Sequence, residues 1–179
     1  MANMANPEAN KRGTAKRQAH SDYSDLQDTI CLHAATVFGL GRVMIKKAPG
    51  TWGSMVGLLL GMGLSWLSEG WSAYLILAVT FLPAVKACDQ TERLAGETDP
   101  PAIILDEVWG MAAVILLQPW VLGTIPLTVT AFGLFRAFDI LKPAPLKWLA
   151  GLKGGLGIMA DDGAAALYTV LVLAVITFV

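Results

Sequence analysis

Five acidic side chains lie at the ends of apolar segments in a chain that has few charges. Asp106 and Glu107 precede one apolar segment, Asp161 and Asp162 precede another, and Asp139 follows a third. Carboxylate oxygens are the ligands that hard divalent cations such as Mg²⁺ prefer. Carboxylates, a divalent metal and nearby cations are the groups that phosphoryl chemistry uses. The sequence therefore predicts a metal and phosphate site near a membrane surface.

The two acidic pairs are the predicted metal ligands. Asp106 and Glu107 follow Pro100-Pro101 at the start of a helix, where the helix dipole favours ionised carboxylates. Helix-start electrostatics alone would account for one acid, but two adjacent acids favour a functional site. We therefore expect the metal ligands to be Asp106, Glu107, Asp161 and Asp162, with Asp139 as a further acidic site residue.

Two cations are predicted to bind phosphate, and each has a simpler alternative. Arg136 and Asp139 are three residues apart and share a helical face, so they could form only an intrahelical ion pair. Lys142 lies at the predicted interface, where a lysine often does no more than attract anionic lipid.

A glycine-rich stretch at residues 49–57 follows Lys46 and Lys47 and opens an apolar helix. Thr51 or Ser54 is predicted to cap this helix, whose free amide groups would attract a phosphate. The alternative is an ordinary capped helix start with glycines that allow close packing between membrane helices. The spacing differs from that of a Walker loop, so nothing supports nucleotide binding.

The composition indicates a membrane-associated protein. The 179 residues are 55% hydrophobic and only 15% charged, whereas charged residues make up about a quarter of a typical soluble domain. The net charge of -1 and the lack of a basic, aromatic-rich face argue against nucleic acid as a partner. Cys31 and Cys88 are isolated from the two histidines, so neither a zinc site nor a disulfide framework is predicted.

The elements that must position the charges are helices. Apolar runs cover residues 54–68, 71–85, 108–135 and 163–179, and Gln118-Pro119-Trp120 divides the third run. We predict an all-α, membrane-associated bundle of two helical hairpins plus a C-terminal helix, formed by residues 30–179. Legs of roughly 15 residues would span about 22 Å, short of the ~30 Å hydrocarbon core. Residues 1–29 are polar and are predicted to form a disordered tail.

The distribution of charge predicts the topology. If the turns at Glu69-Gly70-Trp71 and Gln118-Pro119-Trp120 lie on one side of the bundle, almost all other charges beyond the tail lie on the opposite side. The positive-inside rule makes that charged side cytoplasmic. The alternative is a soluble helical bundle with an unusually apolar core.

Four motifs, in order, resemble those of the phosphatidylglycerophosphatase A family. They are Pro49-Gly50-Thr51-x-Gly53-Ser54, Ile104-Leu105-Asp106-Glu107-x-x-Gly110, the stretch from Phe135 to Pro145 with Arg136, Asp139 and Lys142, and Gly154-Gly155-x-Gly157-Ile158-Met159-x-Asp161-Asp162. The resemblance implies a Mg²⁺-dependent enzyme of the bacterial inner membrane, with its site facing the cytoplasm. It also implies hydrolysis of the lipid substrate phosphatidylglycerophosphate to phosphatidylglycerol, which feeds cardiolipin synthesis.

By position, the resemblance implies that the acidic site residues are Asp106, Glu107, Asp139, Asp161 and Asp162. Arg136, Lys142, Thr51 and Ser54 would bind the substrate phosphate. Water activated by the metal is the favoured nucleophile, and attack by an aspartate stays open.

Two rival classes were weighed. The CDP-alcohol phosphotransferases require further aspartates after an Asp-Gly pair, but Asp162-Gly163 leads into an uncharged helix. A small membrane transporter or assembly subunit would place its acids deep within helices, whereas these acids lie at helix ends.

Overall fold

The protein is all-α in the part described by the computed structural model, which covers residues 24–44, 48–67, 70–144, 146–149 and 151–178. The predicted features at Lys46, Lys47, Glu69 and Pro145 lie outside these residues. The helices are α1 (residues 24–35), α2 (Leu40–Met44), α3 (Pro49–Leu67), α4 (Ser72–Ala95), α5 (Leu105–Leu117), a 3₁₀ helix (Pro119–Gly123), α6 (Ile125–Leu141), α7 (Leu146–Leu149) and α8 (Gly155–Phe178).

The predicted all-α class and the order of the helices, with α8 as the final one, are confirmed. The consecutive helices α3 and α4 do not pack closely on each other, since α3 packs mainly on α5, and α4 packs on α8 and α5. Helices α3, α4, α5, α6 and α8 have lengths of 19, 24, 13, 17 and 24 residues, which differ from the uniform 15 expected. The difference arises because α3, α5 and α8 begin in the glycine-rich or charged stretches before their apolar runs, and because α4 and α6 continue into charged residues after theirs.

The boundary of the predicted tail needs correction. Residues 24–29 were assigned to the tail, but they belong to α1. In this helix Asp28 accepts a hydrogen bond from the side chain of Gln90 on α4, and Cys31 and Ala35 are buried beside Ala84. The predicted disorder of residues 1–23 lies outside the described residues.

Helix α5 is the centre of the bundle. All seven residues from Gly110 to Leu116 are buried, so the helix is covered on every side, as an apolar helix without a polar face must be. Helices α3, α4 and α8 pack around it. The helix ends at Gln118 because Pro119 follows and disfavours helical backbone in the residue before it.

Glycines bring α3 against α5. An added Cβ would lie 2.5 Å from the carbonyl oxygen of Val108 at Gly57, and 2.8 Å from the Cβ of Ile115 at Gly61. Such distances leave no room for a side chain, so the two backbones approach closely. The close-packing interpretation of these glycines is therefore confirmed.

Two described helices, Ser72–Ala95 and Gly155–Thr177, are long and apolar enough to cross a membrane. Apolar side chains project from them away from the core. Leu75, Val79 and Leu82 of α4 are exposed, as are Leu167, Leu171 and Val175 of α8. Such an outer surface fits membrane association, since contiguous apolar patches of this kind are rare on soluble monomers.

Candidate active site

A cavity of about 230 Å³ lies at one end of the bundle, where α3, α5 and α8 begin and α4 and α6 end. We call it the carboxylate cavity. It is lined by Pro49, Asp99, Pro101, Ile103, Asp106, Glu107, Asp139, Lys142, Ile158, Asp161 and Asp162. All five acids singled out in the sequence meet here, as the topology predicted.

The five carboxylates form two overlapping groups. Oxygens of Asp106, Glu107 and Asp162 lie within 4.8 Å of one another, and so do oxygens of Asp139, Asp161 and Asp162. Asp162 belongs to both groups and is only 2% exposed. Three helices, α5, α6 and α8, therefore contribute acids to one compact cluster.

Two of these acids are paired with the predicted cations. The Arg136 guanidinium lies 2.6 Å from a carboxylate oxygen of Asp139, one turn away on α6. Lys142 forms an ion pair with Asp161 on α8. In the described part of the chain, no cation lies within ion-pair distance of Asp106, Glu107 or Asp162. The cluster therefore separates into two paired acids and three unpaired ones.

Buried oxygens in this cluster lack hydrogen-bond partners. They are Asp106 Oδ1, Glu107 Oε2, Asp161 Oδ1 and Asp162 Oδ2. Each buried acceptor without a partner lowers the stability of the folded protein by about 1–3 kcal/mol, and by more when it is charged. Such groups therefore indicate that a ligand binds here. Several hard oxygens from three helices suit Mg²⁺ in donor type and number. The residues present fit the predicted metal.

Helix geometry explains how the first acidic pair enters the cavity. Asp106 and Glu107 lie in the first turn of α5, as expected. Pro101 precedes them, and the chain at Ile103 and Ile104 is not helical. The backbone amide of Ile104 donates a hydrogen bond to the carbonyl of Ala35, which ties the start of α5 to the end of α1.

The second acidic pair lies inside a helix, not before it. Asp161 and Asp162 were expected just ahead of the last apolar helix, but α8 begins at Gly155 and places both residues in its second turn. Gly155, the first residue of α8, packs directly against the backbone of Val85, where any side chain would clash. This contact between α8 and α4 holds the glycine-rich stretch in a helix. The prediction followed hydropathy alone and therefore started the helix too late.

Thr51 and Ser54 do not cap α3. The helix begins at Pro49, and both residues lie within it. The amides of Thr51 and Trp52 donate to the carbonyl of Ala48, so they are not free to bind a phosphate as predicted. Thr51 is exposed and does not line the carboxylate cavity.

Ser54 instead holds Arg136 in place. Its fully buried hydroxyl donates to the carbonyl of Gly50 at 2.9 Å and accepts from Arg136 Nη1 at 3.3 Å. Gly50 itself faces Glu107 and Arg136, and a Cβ there would clash with both side chains. A side chain at this position would therefore displace the charged ends of Glu107 and Arg136.

Lys142 ends α6 with left-handed backbone, φ 43°, and its amide donates to the carbonyl of Phe138. This turn directs the lysine across the cavity to α8. Partial burial opposes its charge, but the hydrogen bond that it donates to Asp161 and the charges of Asp161, Asp139 and Asp162 outweigh that effect and raise the pKa of Lys142. The ammonium group therefore stays charged at neutral pH.

The sequence did not single out Asp99, which lines the carboxylate cavity beside Lys142. It lies in the turn after α4 with a positive φ of 49°, a conformation that aspartate adopts more readily than most residues. The signal in the sequence that could have identified Asp99 was its position immediately before two prolines. Asp89 on α4 does not line this cavity, and it pairs with Arg93 at 2.7 Å and accepts a hydrogen bond from the amide of Gly155.

Fold and site together define a small all-α protein that gathers carboxylates and cations at one end of an apolar bundle, an arrangement used in metal-assisted phosphoryl chemistry. The chain belongs to the phosphatidylglycerophosphatase A family, whose sequence profile matches residues 33–177. The resemblance seen in the four motifs is thereby confirmed, and the protein is a phosphatase.

Curated relatives cover most of the chain. Phosphatidylglycerophosphatase A of Haemophilus influenzae is 40% identical over 78% of this chain and 85% of its own length. Phosphatidylglycerophosphatase A of Escherichia coli is 30% identical over 69% of this chain and 71% of its own. A putative phosphatidylinositol-3-phosphatase of Bacteroides thetaiotaomicron is 30% identical over 79% of this chain and 91% of its own. No solved structure is significantly similar to the chain.

Proposed function

We propose that this protein is a Mg²⁺-dependent phosphatase that hydrolyses phosphatidylglycerophosphate to phosphatidylglycerol and phosphate at a bacterial inner membrane. Family membership and two relatives named for this activity support the substrate. One structural observation carries the mechanism. Three carboxylates, those of Asp106, Glu107 and Asp162, each have a buried oxygen without a hydrogen-bond partner and no cation partner among the described residues, and they lie beside two cations that are already paired.

Asp106, Glu107 and Asp162 would hold the metal. Asp161, the fourth predicted ligand, bonds to Lys142 through one oxygen and keeps its second oxygen for metal or substrate. When bound, Mg²⁺ neutralises phosphate charge and orients the phosphoryl group. The repulsion among three clustered carboxylates supports a divalent ion as their counter-charge.

Arg136 and Lys142 would bind the substrate phosphate. Both line or adjoin the cavity, and each is held by a carboxylate and so presents its remaining donors in a fixed direction. Arg136 is fixed further by Ser54, and its Nε is buried without a partner. Pre-aligned donors of this kind stabilise the charge that develops on a transferring phosphoryl group.

We favour water as the nucleophile. Asp139 and Asp161 are engaged by cations, and the other three acids would be engaged by the metal, so no carboxylate is left to attack phosphorus. Hydrolysis then breaks the bond between phosphorus and the glycerol oxygen, forms a bond from phosphorus to the water oxygen, and returns a proton to the glycerol oxygen.

Membrane placement follows from the position of the site. The cavity lies at one end of the bundle, while α4 and α8 expose apolar side chains along their length. A lipid substrate would keep its acyl chains in the bilayer while its phosphate entered the cavity at headgroup depth. Among the described residues the turn after α3 and the 3₁₀ helix after α5 carry no lysine or arginine, whereas several flank the cavity, and this asymmetry supports a cytoplasmic orientation of the cavity by the positive-inside rule.

Phosphate release by the detergent-purified protein tests this function. Phosphatidylglycerophosphate is compared with phosphatidic acid and phosphatidylinositol 3-phosphate, each with Mg²⁺ and with EDTA. We expect release from phosphatidylglycerophosphate that EDTA stops and added Mg²⁺ restores. Faster release from phosphatidylinositol 3-phosphate would replace the proposed substrate, and full activity in EDTA would refute the role of the metal.

A further inference from the structure

A groove of about 400 Å³ lies between α3 and α4, with α5 as its floor. We call it the apolar groove. It exists because α3 packs mainly on α5, whereas α4 packs on α8 and α5, so that a gap separates these two consecutive helices. Its lining includes Leu60 on α3, Val79 and Pro83 on α4, and Val108, Ala112 and Leu116 on α5. The three residues of α5 are buried and the other three are exposed, so the groove has a closed floor and an open side.

The apolar groove begins at the end of the bundle that carries the carboxylate cavity. Leu105, the first residue of α5, lines the groove, and the next residue, Asp106, lines the carboxylate cavity. Ala34 of α1 and Ala87 of α4 also line the groove at this end. From Leu105 the lining continues along one face of α5 to Leu116. The groove therefore leads from the level of the acids towards the opposite end of the bundle.

The length of the groove matches the depth of one membrane leaflet. Leu105 and Leu116 mark its two ends on α5, and at 1.5 Å per residue they are about 16 Å apart along the helix axis. One leaflet contributes about half of the ~30 Å hydrocarbon core. The acyl chains of a lipid extend through this half, whereas a transmembrane helix of a partner protein would extend through both.

The described lining of the groove offers no unpaired polar side chain. The hydroxyl of Thr80 donates to the carbonyl of Ile76 at 2.7 Å and accepts from Trp109 Nε1 at 3.1 Å. The Trp109 ring also contacts Phe81 edge to face, with ring centroids 5.3 Å apart. These contacts satisfy both polar groups and fix Trp109 as part of the floor. A polar ligand would find no partner here, so the lining suits a hydrocarbon chain.

We propose that the apolar groove holds one acyl chain of the lipid substrate while the headgroup phosphate occupies the carboxylate cavity. This inference rests on the proposed function, since it assumes a substrate with acyl chains. The start of the groove beside Asp106, its length of one leaflet and its apolar lining favour an acyl chain over a helix of a second copy. Because the surrounding lipid is as apolar as the groove, the groove orients the substrate and adds little hydrophobic affinity. A chain held along α5 restricts the position of the headgroup beside the acids, and such positioning accelerates a reaction.

Filling the open side of the groove tests this proposal. Leu60→Trp places a larger side chain there, and because Leu60 is 47% exposed, the variant is expected to fold. The experiment measures kcat/KM for phosphatidylglycerophosphate and for its deacylated form. We expect the value for the lipid to fall about tenfold through loss of positioning, and the value for the deacylated compound to stay unchanged. Leu59→Trp is the matched control, since Leu59 is 62% exposed and does not line the groove, and it should keep both wild-type values.

Photo-crosslinking identifies the occupant of the groove directly. Phosphatidylglycerophosphate with a diazirine in one acyl chain is expected to label the segments of α3, α4 and α5 that line the groove. Excess unlabelled phosphatidylglycerophosphate should suppress this labelling, whereas phosphatidylethanolamine should not. Equal suppression by both lipids would show that bulk lipid fills the groove and would overturn the proposal.

The kinetic outcomes separate the two proposals. An unchanged kcat/KM for the lipid in Leu60→Trp, or equal losses on both compounds, would overturn the acyl-chain site while leaving the phosphatase function in place. If the wild-type protein hydrolyses the lipid alone, equal values for Leu60→Trp and Leu59→Trp would overturn the site. A wild-type dimer that Leu60→Trp dissociates would assign the groove to a second copy instead. A wild-type protein that releases phosphate from neither compound would overturn the proposed function and this inference with it.

Discussion

Lys142 and Asp161 form an ion pair although 19 positions separate them in the chain. Lys142 ends α6 and Asp161 lies in the second turn of α8, so the pair joins two helices across the carboxylate cavity. The contact fixes one carboxylate oxygen and leaves the other facing the cavity. Charge pairing at this point therefore both tethers the helices and orients the site.

Loss of the Lys142 charge should reduce catalysis strongly. In Lys142→Gln the buried Asp161 loses its counter-charge and the phosphate loses a donor, so we expect kcat/KM to fall by about 100-fold. Phosphate release in detergent is the measurement. Lys153→Gln is the matched control, since Lys153 is exposed and does not line the carboxylate cavity. Equal losses in both variants would show that general cationic attraction of lipid is what matters.

Removal of the shared carboxylate should abolish activity. Asp162→Asn removes the acid common to both acidic groups, and we expect at least a 100-fold loss of Mg²⁺-dependent phosphate release. The variant should still insert and elute as the wild-type protein does, because asparagine preserves the size of the side chain. Asp25→Asn, a change at an exposed position of α1, should remain active. Substantial turnover by Asp162→Asn would refute the proposed site.

Metal binding should be visible without turnover. The proposed metal would bind only the folded cluster, so Mg²⁺ is expected to raise the Tm of EDTA-treated protein in a concentration-dependent manner. The increase should disappear in Asp162→Asn, and that variant should be more stable than the metal-free wild-type protein because one repelling charge is gone. A Tm that does not respond to Mg²⁺ in the wild-type protein would argue against a resident metal.

The absence of a side chain at Gly50 should allow α3 to pack against the charged cluster. Gly50→Ala places a methyl group against Glu107 and Arg136, so we expect at least a tenfold loss of activity and a lower Tm. Gly63→Ala on the same helix is the control, because nothing lies within 4 Å of an added Cβ there. It should be neutral or slightly stabilising, since alanine favours the helix over glycine. Full activity of Gly50→Ala would mean that the neighbouring side chains rearrange freely.

Cysteine labelling should establish the orientation of the bundle. Lys153→Cys introduces a thiol at the end that carries the site, and Gly123→Cys introduces one in the 3₁₀ helix of the second hairpin. Native Cys31 and Cys88 are buried. In intact spheroplasts an impermeant maleimide should label Gly123→Cys only, with Lys153→Cys reacting after disruption. The reverse pattern would place the site outside the cytoplasm.

The sequence by itself determined the helical class, the order of the helices and the five acids that line the carboxylate cavity. Apolar runs of helical length with breaks at Gly70 and Pro119 require helices, and charges in such a chain are tolerated only at helix ends. These properties depend on local composition. They can therefore be derived without knowledge of which helices touch.

Only the tertiary structure decided which charged groups pair with one another and which have no partner among the described residues. The sequence shows neither that Asp161 pairs with Lys142 while Asp162 has no cation partner among the described residues, nor that Ser54 supports Arg136. The prediction from the sequence also began α8 too late and assigned residues 24–29 to the tail. In each case the missing information was a contact between segments distant in the chain, as between Gly155 and Val85 or Asp28 and Gln90. Hydropathy and spacing report on single segments, whereas pairing and packing depend on how several helices meet.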